Sequence, residues 1–143
     1  MPEPSVHRAR RGPATAETVD AVHNDLDGLW AEADFVPEPD RMAFTLAVVE
    51  AATNVVVHAV PAAEDPLELE VDITAEASRL EARIYEIGAA PAEVEVDGGM
   101  PAAESAAESG RGMALIQALV SAVVFERRDD TNVWVLCREY RGS

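Results

Sequence analysis

The chain has no lysine. Its eleven basic residues, all arginine, stand against 27 acidic ones in 143 residues, for a formal net charge of −16. Nucleic-acid binding relies on basic side chains to neutralise phosphates, so this balance argues against a direct nucleic-acid partner. Anionic membrane surfaces are disfavoured on the same ground. A basic protein partner is compatible with the charge, and so is plain solubility. Cysteine is nearly absent: the lone Cys137 excludes an internal disulfide, fits a reducing cytoplasm and reads as a small buried hydrophobe. An unbroken apolar run is missing too. The longest apolar region, around residues 42–60, is interrupted by Glu50, Asn54 and His58, so no membrane span is expected. The segment His7-Arg8-Ala9-Arg10-Arg11 has no apolar stretch behind it, and no signal peptide is expected. The chain also has no internal repeat.

What is present suits a globular domain. Hydrophobic residues make up 48% of the chain, and a chain of this length buries about two-thirds of its unfolded surface. One domain over residues 15–143 is expected, with residues 1–14 as a tail or a first edge strand.

Thr15 is a candidate cap for a helix carrying Thr18, Val22, Leu26, Leu29 and Trp30 at helical spacing. The segment Phe35-Val36-Pro37-Glu38-Pro39 reads as a turn, and Asp40 as the N-cap of a long helix from Arg41 to Ala59, which Pro61 ends. Met42, Leu46, Val49, Val56, Val57 and Val60 cover one side of that helix, and Phe44, Val48 and Val55 the other. Apolar nearly all round, it is expected to be buried in the core. Glu50, Asn54 and His58 recur every fourth residue as one polar stripe beside the small Ala47 and Ala51. Buried polar groups are costly unless satisfied, and the small neighbours leave room for a ligand. A purely structural pair of Glu50 and Asn54 is the competing reading, and His58 is assigned a structural role, capping or satisfying a core position.

Leu67, Leu69, Val71 and Ile73 alternate with Glu68, Glu70 and Asp72, the signature of a half-buried strand. A turn near Glu76–Ser78 leads to a second strand with Leu80, Ala82 and Ile84 on one face, and continued alternation puts Glu86 on that inner face at the strand end. Residues 89–108 show no sustained period and read as a functional loop, such as a lid. Gly110-Arg111-Gly112 then opens a helix bearing Met113, Leu115, Ile116, Leu119 and Val120, and a hairpin around Asp129-Asp130-Thr131-Asn132 closes the chain. These elements predict an α/β (α+β) two-layer sandwich whose sheet is mixed and mostly antiparallel, with helices on one face. A carboxylate, an amide oxygen suited to Mg2+ and a glycine-bracketed helix N-terminus are the parts of a nucleotide site.

The string Glu50-Ala-Ala-Thr-Asn54-Val-Val-Val-His58-Ala59 resembles the N box of the GHKL (Bergerat-fold) ATPases, in the form found in bacterial anti-sigma-factor serine/threonine kinases. Glu86-Ile87-Gly88 takes the place of that superfamily's Asp-x-Gly adenine box, and Ser109-Gly110-Arg111-Gly112-Met113 resembles its later glycine box. The likeness implies a Bergerat fold that binds ATP and Mg2+. It assigns the metal to Asn54, the general base to Glu50, the base contact to Glu86 and Gly88, and the phosphates to Gly110, Arg111 and Gly112. It further implies that the partners are an anti-anti-sigma antagonist of the STAS type, whose serine is phosphorylated, and a sigma factor. A homodimer is also implied, since family members are often dimers. The chain departs from the pattern in having Glu86 for aspartate and Ala89-Ala90 where a second glycine is usual; Asp97-Gly98-Gly99 offers a rival box inside the loop. A contact-only module with a decayed nucleotide site is the alternative from a different class, and a free-standing ATPase is a third reading.

Overall fold

Alternation along the strands fixes which face of the sheet is buried. In the computed structural model, which describes residues 4–91 and 111–141, β1 (Ser5–Pro13), β2 (Glu68–Glu76), β3 (Arg79–Ile87), β4 (Ala122–Arg128) and β5 (Thr131–Glu139) form one sheet in the order β1-β2-β3-β5-β4. Every pairing is antiparallel, so the parallel component of the expected mixed sheet is not found among the described residues. The inner residues Leu69, Val71 and Ile73 of β2 and Leu80, Ala82 and Ile84 of β3 are each 0–1% exposed. They pack under α1 (Ala16–Glu32), α2 (Glu38–His58) and α3 (Arg111–Leu119), giving the expected two-layer α+β sandwich. The turn expected near Glu76–Ser78 falls at Ala77–Ser78.

The N-terminal segment settles as the edge strand β1, and arginines tie it down. Arg10 grips Asp25 of α1 through Nε (2.8 Å) and Nη2 (2.9 Å), Arg8 pairs with Glu32, and Arg11 holds Glu68 of β2 at 3.0 and 3.2 Å. These arginines also blunt an exposed edge that would otherwise invite strand pairing. Gly12 is where β1 meets α1, since a Cβ there would come within 2.9 Å of Thr18 Oγ1. Thr15 stands at the N-cap of α1 as expected, although its hydroxyl makes no capping bond to the backbone. The two long helices are clasped by Trp30, whose Nε1 donates to Thr45 Oγ1 at 2.8 Å and whose ring meets Phe44 edge-on at 6.2 Å.

Two expectations for α2 need correction. The helix starts at Glu38, with Pro37 as its N-cap residue and Pro39 in its first turn, where a missing N–H leaves no helical bond unmade. Asp40 is therefore not the cap; its Oδ1 accepts from Arg138 Nε of β5 at 2.9 Å. Nor is α2 buried all round. Phe44, Ala47, Val48, Ala51, Ala52 and Val55 face the core, while Met42, Leu46 and Val57 are 67%, 47% and 63% exposed. A helix lying on a sheet has one face to bury, and α3 covers only part of the remainder.

Candidate active site

The site is built where three segments leave regular structure together. Beyond β3, Gly88 adopts φ +82°, a conformation that favours glycine. Its N–H donates to Asp130 O in the β4–β5 turn (3.0 Å), and its carbonyl accepts from Ala62 N (2.9 Å). Ala90 N donates to Val60 O at 2.7 Å, and Pro61 bridges Ala89. The outgoing end of β3 is thus laced both to the chain leaving α2 and to the β4–β5 turn.

On α2, Glu50 and Asn54 lie one turn apart at the edge of the buried stripe. Both are only half-buried, and neither side chain makes a hydrogen bond or ion pair among the described residues. A structural pair would be buried and bonded; this one is neither. Of the two structural places expected for His58, the core is not the one found: it is exposed in the last turn of α2, at the helix C-terminus. A positive charge there would favour the helix C-terminus.

Glu86 is the opposite case. It lies at the inner end of β3 as alternation requires and is 6% exposed. Asn132 Nδ2 donates to its Oε2 at 3.0 Å, and Trp134 Nε1 donates to its Oε1 at 3.2 Å. Asn132 is itself fully engaged: the same amide nitrogen donates to Ala90 O (2.8 Å), and its Oδ1 accepts from Arg127 Nη1 (3.0 Å). Arg127 Nη1 also reaches Ala89 O at 2.6 Å. With its oxygen held toward the guanidinium, the amide can only present its NH2 to Glu86. Burial pushes the Glu86 carboxyl above its ordinary value, against the opposing pull of the Asn132 and Trp134 bonds and the Arg127 charge.

Asn132, Trp134 and Arg127 were not among the residues expected from the sequence. The sequence pattern puts Asn132 in the hairpin turn, whereas the turn is the two residues Asp129-Asp130, with Asp129 at φ 53°, and Asn132 already belongs to β5 and is 1% exposed. The available signal was the every-second-residue spacing of Asn132 and Trp134, which puts both on one face. The register that sets them against Glu86 and Ile84 is a tertiary fact. Arg111 and Gly112 form the start of α3, as the glycine-bracketed motif required. Gly110, the rival box at Asp97–Gly99 and most of the expected lid lie outside the described residues. Cys137 is buried, as expected, and accepts from Arg79 Nε at 2.9 Å.

The two halves of the site differ in their fit to a magnesium nucleotide. The free oxygens of Glu50 and Asn54 suit a hard cation and a proton acceptor. The Glu86 carboxylate, at the end of β3, has a protein donor on each oxygen. Among the described residues, no helix is long and apolar enough to cross a membrane.

Among curated proteins none matches this chain. The crystal structure of the RsbU and RsbW domains of Rv1364c from Mycobacterium tuberculosis aligns with a TM-score of 0.60 at 19% identity, over 99% of this chain and 35% of that one. The chain thus spans about a third of the length of that crystallised chain, and at this identity the likeness concerns the fold. The family model of the histidine kinase-like ATPase domain matches residues 12–138. With that match running from the edge strand β1 to the closing strand β5, the chain belongs to the histidine kinase-like ATPase domain family.

Proposed function

We propose that this protein is a cytoplasmic serine/threonine protein kinase of the anti-sigma type, which uses Mg-ATP to phosphorylate a STAS-type anti-anti-sigma antagonist and binds a sigma factor. Membership of an ATPase family supports the cofactor. The observation that carries the reading is the Glu50–Asn54 pair: two oxygen-bearing side chains, one helical turn apart, half-buried and bonded to nothing among the described residues. Bound Mg-ATP supplies the transferable phosphoryl group and the cation that offsets its charge. Asn54 offers its amide oxygen to Mg2+. Glu50 would take, on a carboxylate oxygen, the proton that the partner's serine hydroxyl loses when its oxygen accepts the γ-phosphoryl group, with ADP as the leaving group. Arg111 and Gly112 begin α3, and with Gly110, which lies outside the described residues, they are the residues that would serve the phosphates. Because the whole chain carries −16, these local donors rather than its overall field must retain an anionic cofactor, and the acidic surface is left to meet a basic region of the sigma factor.

The deciding experiment is phosphoryl transfer from radiolabelled Mg-ATP to a STAS-type antagonist by the wild type and by Glu50→Ala. Transfer that depends on Glu50 is expected; equal rates in the two proteins would sink the reading. A second reading, a module that regulates by contact alone, is favoured by one observation, the engagement of both Glu86 oxygens within the protein. Calorimetry separates the two: binding heat with Mg-ATP that Asn54→Ala removes supports the kinase, and no heat from the wild type supports the contact module.

A further inference from the structure

Glu86 stands where the chain's motif order puts the base-reading carboxylate, yet the protein already supplies that carboxylate with donors. Trp134 brings an N–H on a flat bicyclic ring to Oε1, and that ring is held by Phe125 at 4.7 Å between centroids, tilted by 54°. Asn132 fills Oε2, and Arg127 locks the amide so that it cannot flip its oxygen toward Glu86. Six per cent exposure leaves the carboxylate little surface for a further donor. The donor that a purine's exocyclic amine would bring, a planar N–H directed at a carboxylate, is the one Trp134 provides from within the chain.

We propose that Trp134 is a specificity-determining residue of the proposed nucleotide site: its N–H occupies one lone pair of Glu86 Oε1 on a carboxylate only 6% exposed, so a purine amine finds no accessible acceptor there and this chain binds purine nucleoside triphosphates with little selection for that amine. The inference rests on the ATP-binding part of the function proposed above and assigns Glu86 a positioning role. Glu86 joins β3 to β5 and, through Asn132 and Ala90, fixes where the chain leaves the sheet.

The test compares binding of Mg-ATP with that of Mg-purine riboside triphosphate, which lacks the amine, by calorimetry on wild type and Trp134→Phe. In the wild type the two dissociation constants are expected to agree within about threefold. Trp134→Phe keeps an aromatic ring against Phe125 but drops the N–H, and is expected to shift the ratio about tenfold toward ATP, the scale of a hydrogen bond to a charged group. A wild-type preference for ATP of tenfold or more overturns the inference, as does an unchanged ratio in Trp134→Phe, and in both cases the kinase reading stands. No heat from either protein with either nucleotide overturns the inference and the kinase reading together. A second measurement needs no variant to fold. Trp30 and Trp134 give two indole N–H resonances in the wild type, and that of Trp134 is expected to stay slow to exchange with solvent when Mg-ATP saturates the protein. Its conversion to fast exchange on adding Mg-ATP would mean that nucleotide takes the indole's place on Glu86, and would overturn the inference.

Discussion

The two ends of the candidate site are built on opposite principles. At the β3 end Glu86, Asn132, Trp134 and Arg127 form a closed network in which each polar group named has a partner within the protein. At the α2 end Glu50 and Asn54 hold their oxygens half-exposed, with no partner among the described residues. A satisfied buried network contributes rigidity, and removing one member leaves another desolvated and unpaired. Unengaged side chains contribute little to folding and remain available for chemistry. The same residue classes, carboxylate and amide, serve the fold at one end and are free for a ligand at the other.

Several substitutions can break or sharpen that contrast. The largest effect is expected from Glu50→Ala, which should lower phosphoryl transfer to the antagonist by about 10²–10⁴-fold, the usual contribution of a general base. Initial rates at saturating Mg-ATP measure it. Next comes Asn132→Ala at the closed end, which strips Glu86 Oε2 and Ala90 O of a donor and should destabilise the fold by about 2–3 kcal/mol in urea unfolding. A loss below about 0.5 kcal/mol, the scale of a surface change, would mean the network contributes little.

The pH dependence of Glu86 should be smaller and has a definite sign. Burial raises its carboxyl above the ordinary 4.5 in the folded protein. Just above 4.5 the unfolded chain gives up this proton while the folded protein keeps it, so the stability due to this group falls as pH rises through the folded value and then levels off. The stability of wild type minus that of Glu86→Gln, followed by urea midpoints from pH 4 upward (roughly the range in which carboxyls titrate), should therefore decline and flatten. A difference that grows with pH would contradict the burial-dominated shift. The smallest effect is expected at the open end, where Glu50→Ala and Asn54→Ala should each change unfolding stability by less than about 0.5 kcal/mol, because neither side chain has a partner among the described residues to abandon. A loss near that of Asn132→Ala would make the pair structural and erase the contrast.

Much of the fold could be read from local pattern. Alternation in β2 and β3 placed Leu69, Val71, Leu80 and Ile84 inside and brought Glu86 in with them. Spacing in α1 picked out its buried stripe, and the closing hairpin fell where expected. The start of α2 is not legible locally because Pro37 and Pro39 have the spacing of a turn, although proline at a helix N-terminus costs no hydrogen bond. The burial of α2 cannot be read from composition because an apolar side chain does not reveal whether anything covers it: Met42 and Val57 are as apolar as Val48, yet more than 60% exposed.

The order of elements, the inner face of each strand and the presence of Glu50, Asn54 and Glu86 in recognisable strings followed from the sequence by itself, because backbone geometry imposes periods of 3.6 and 2 residues on any local segment. Only the tertiary structure decided which of those polar groups are spent and which are free. Glu86 meets Asn132 across 46 residues of chain and Trp134 across 48. No local period reaches that far. The pairing comes from the register of β3 against β5, and register is selected by burying the whole inner face of the sheet at once.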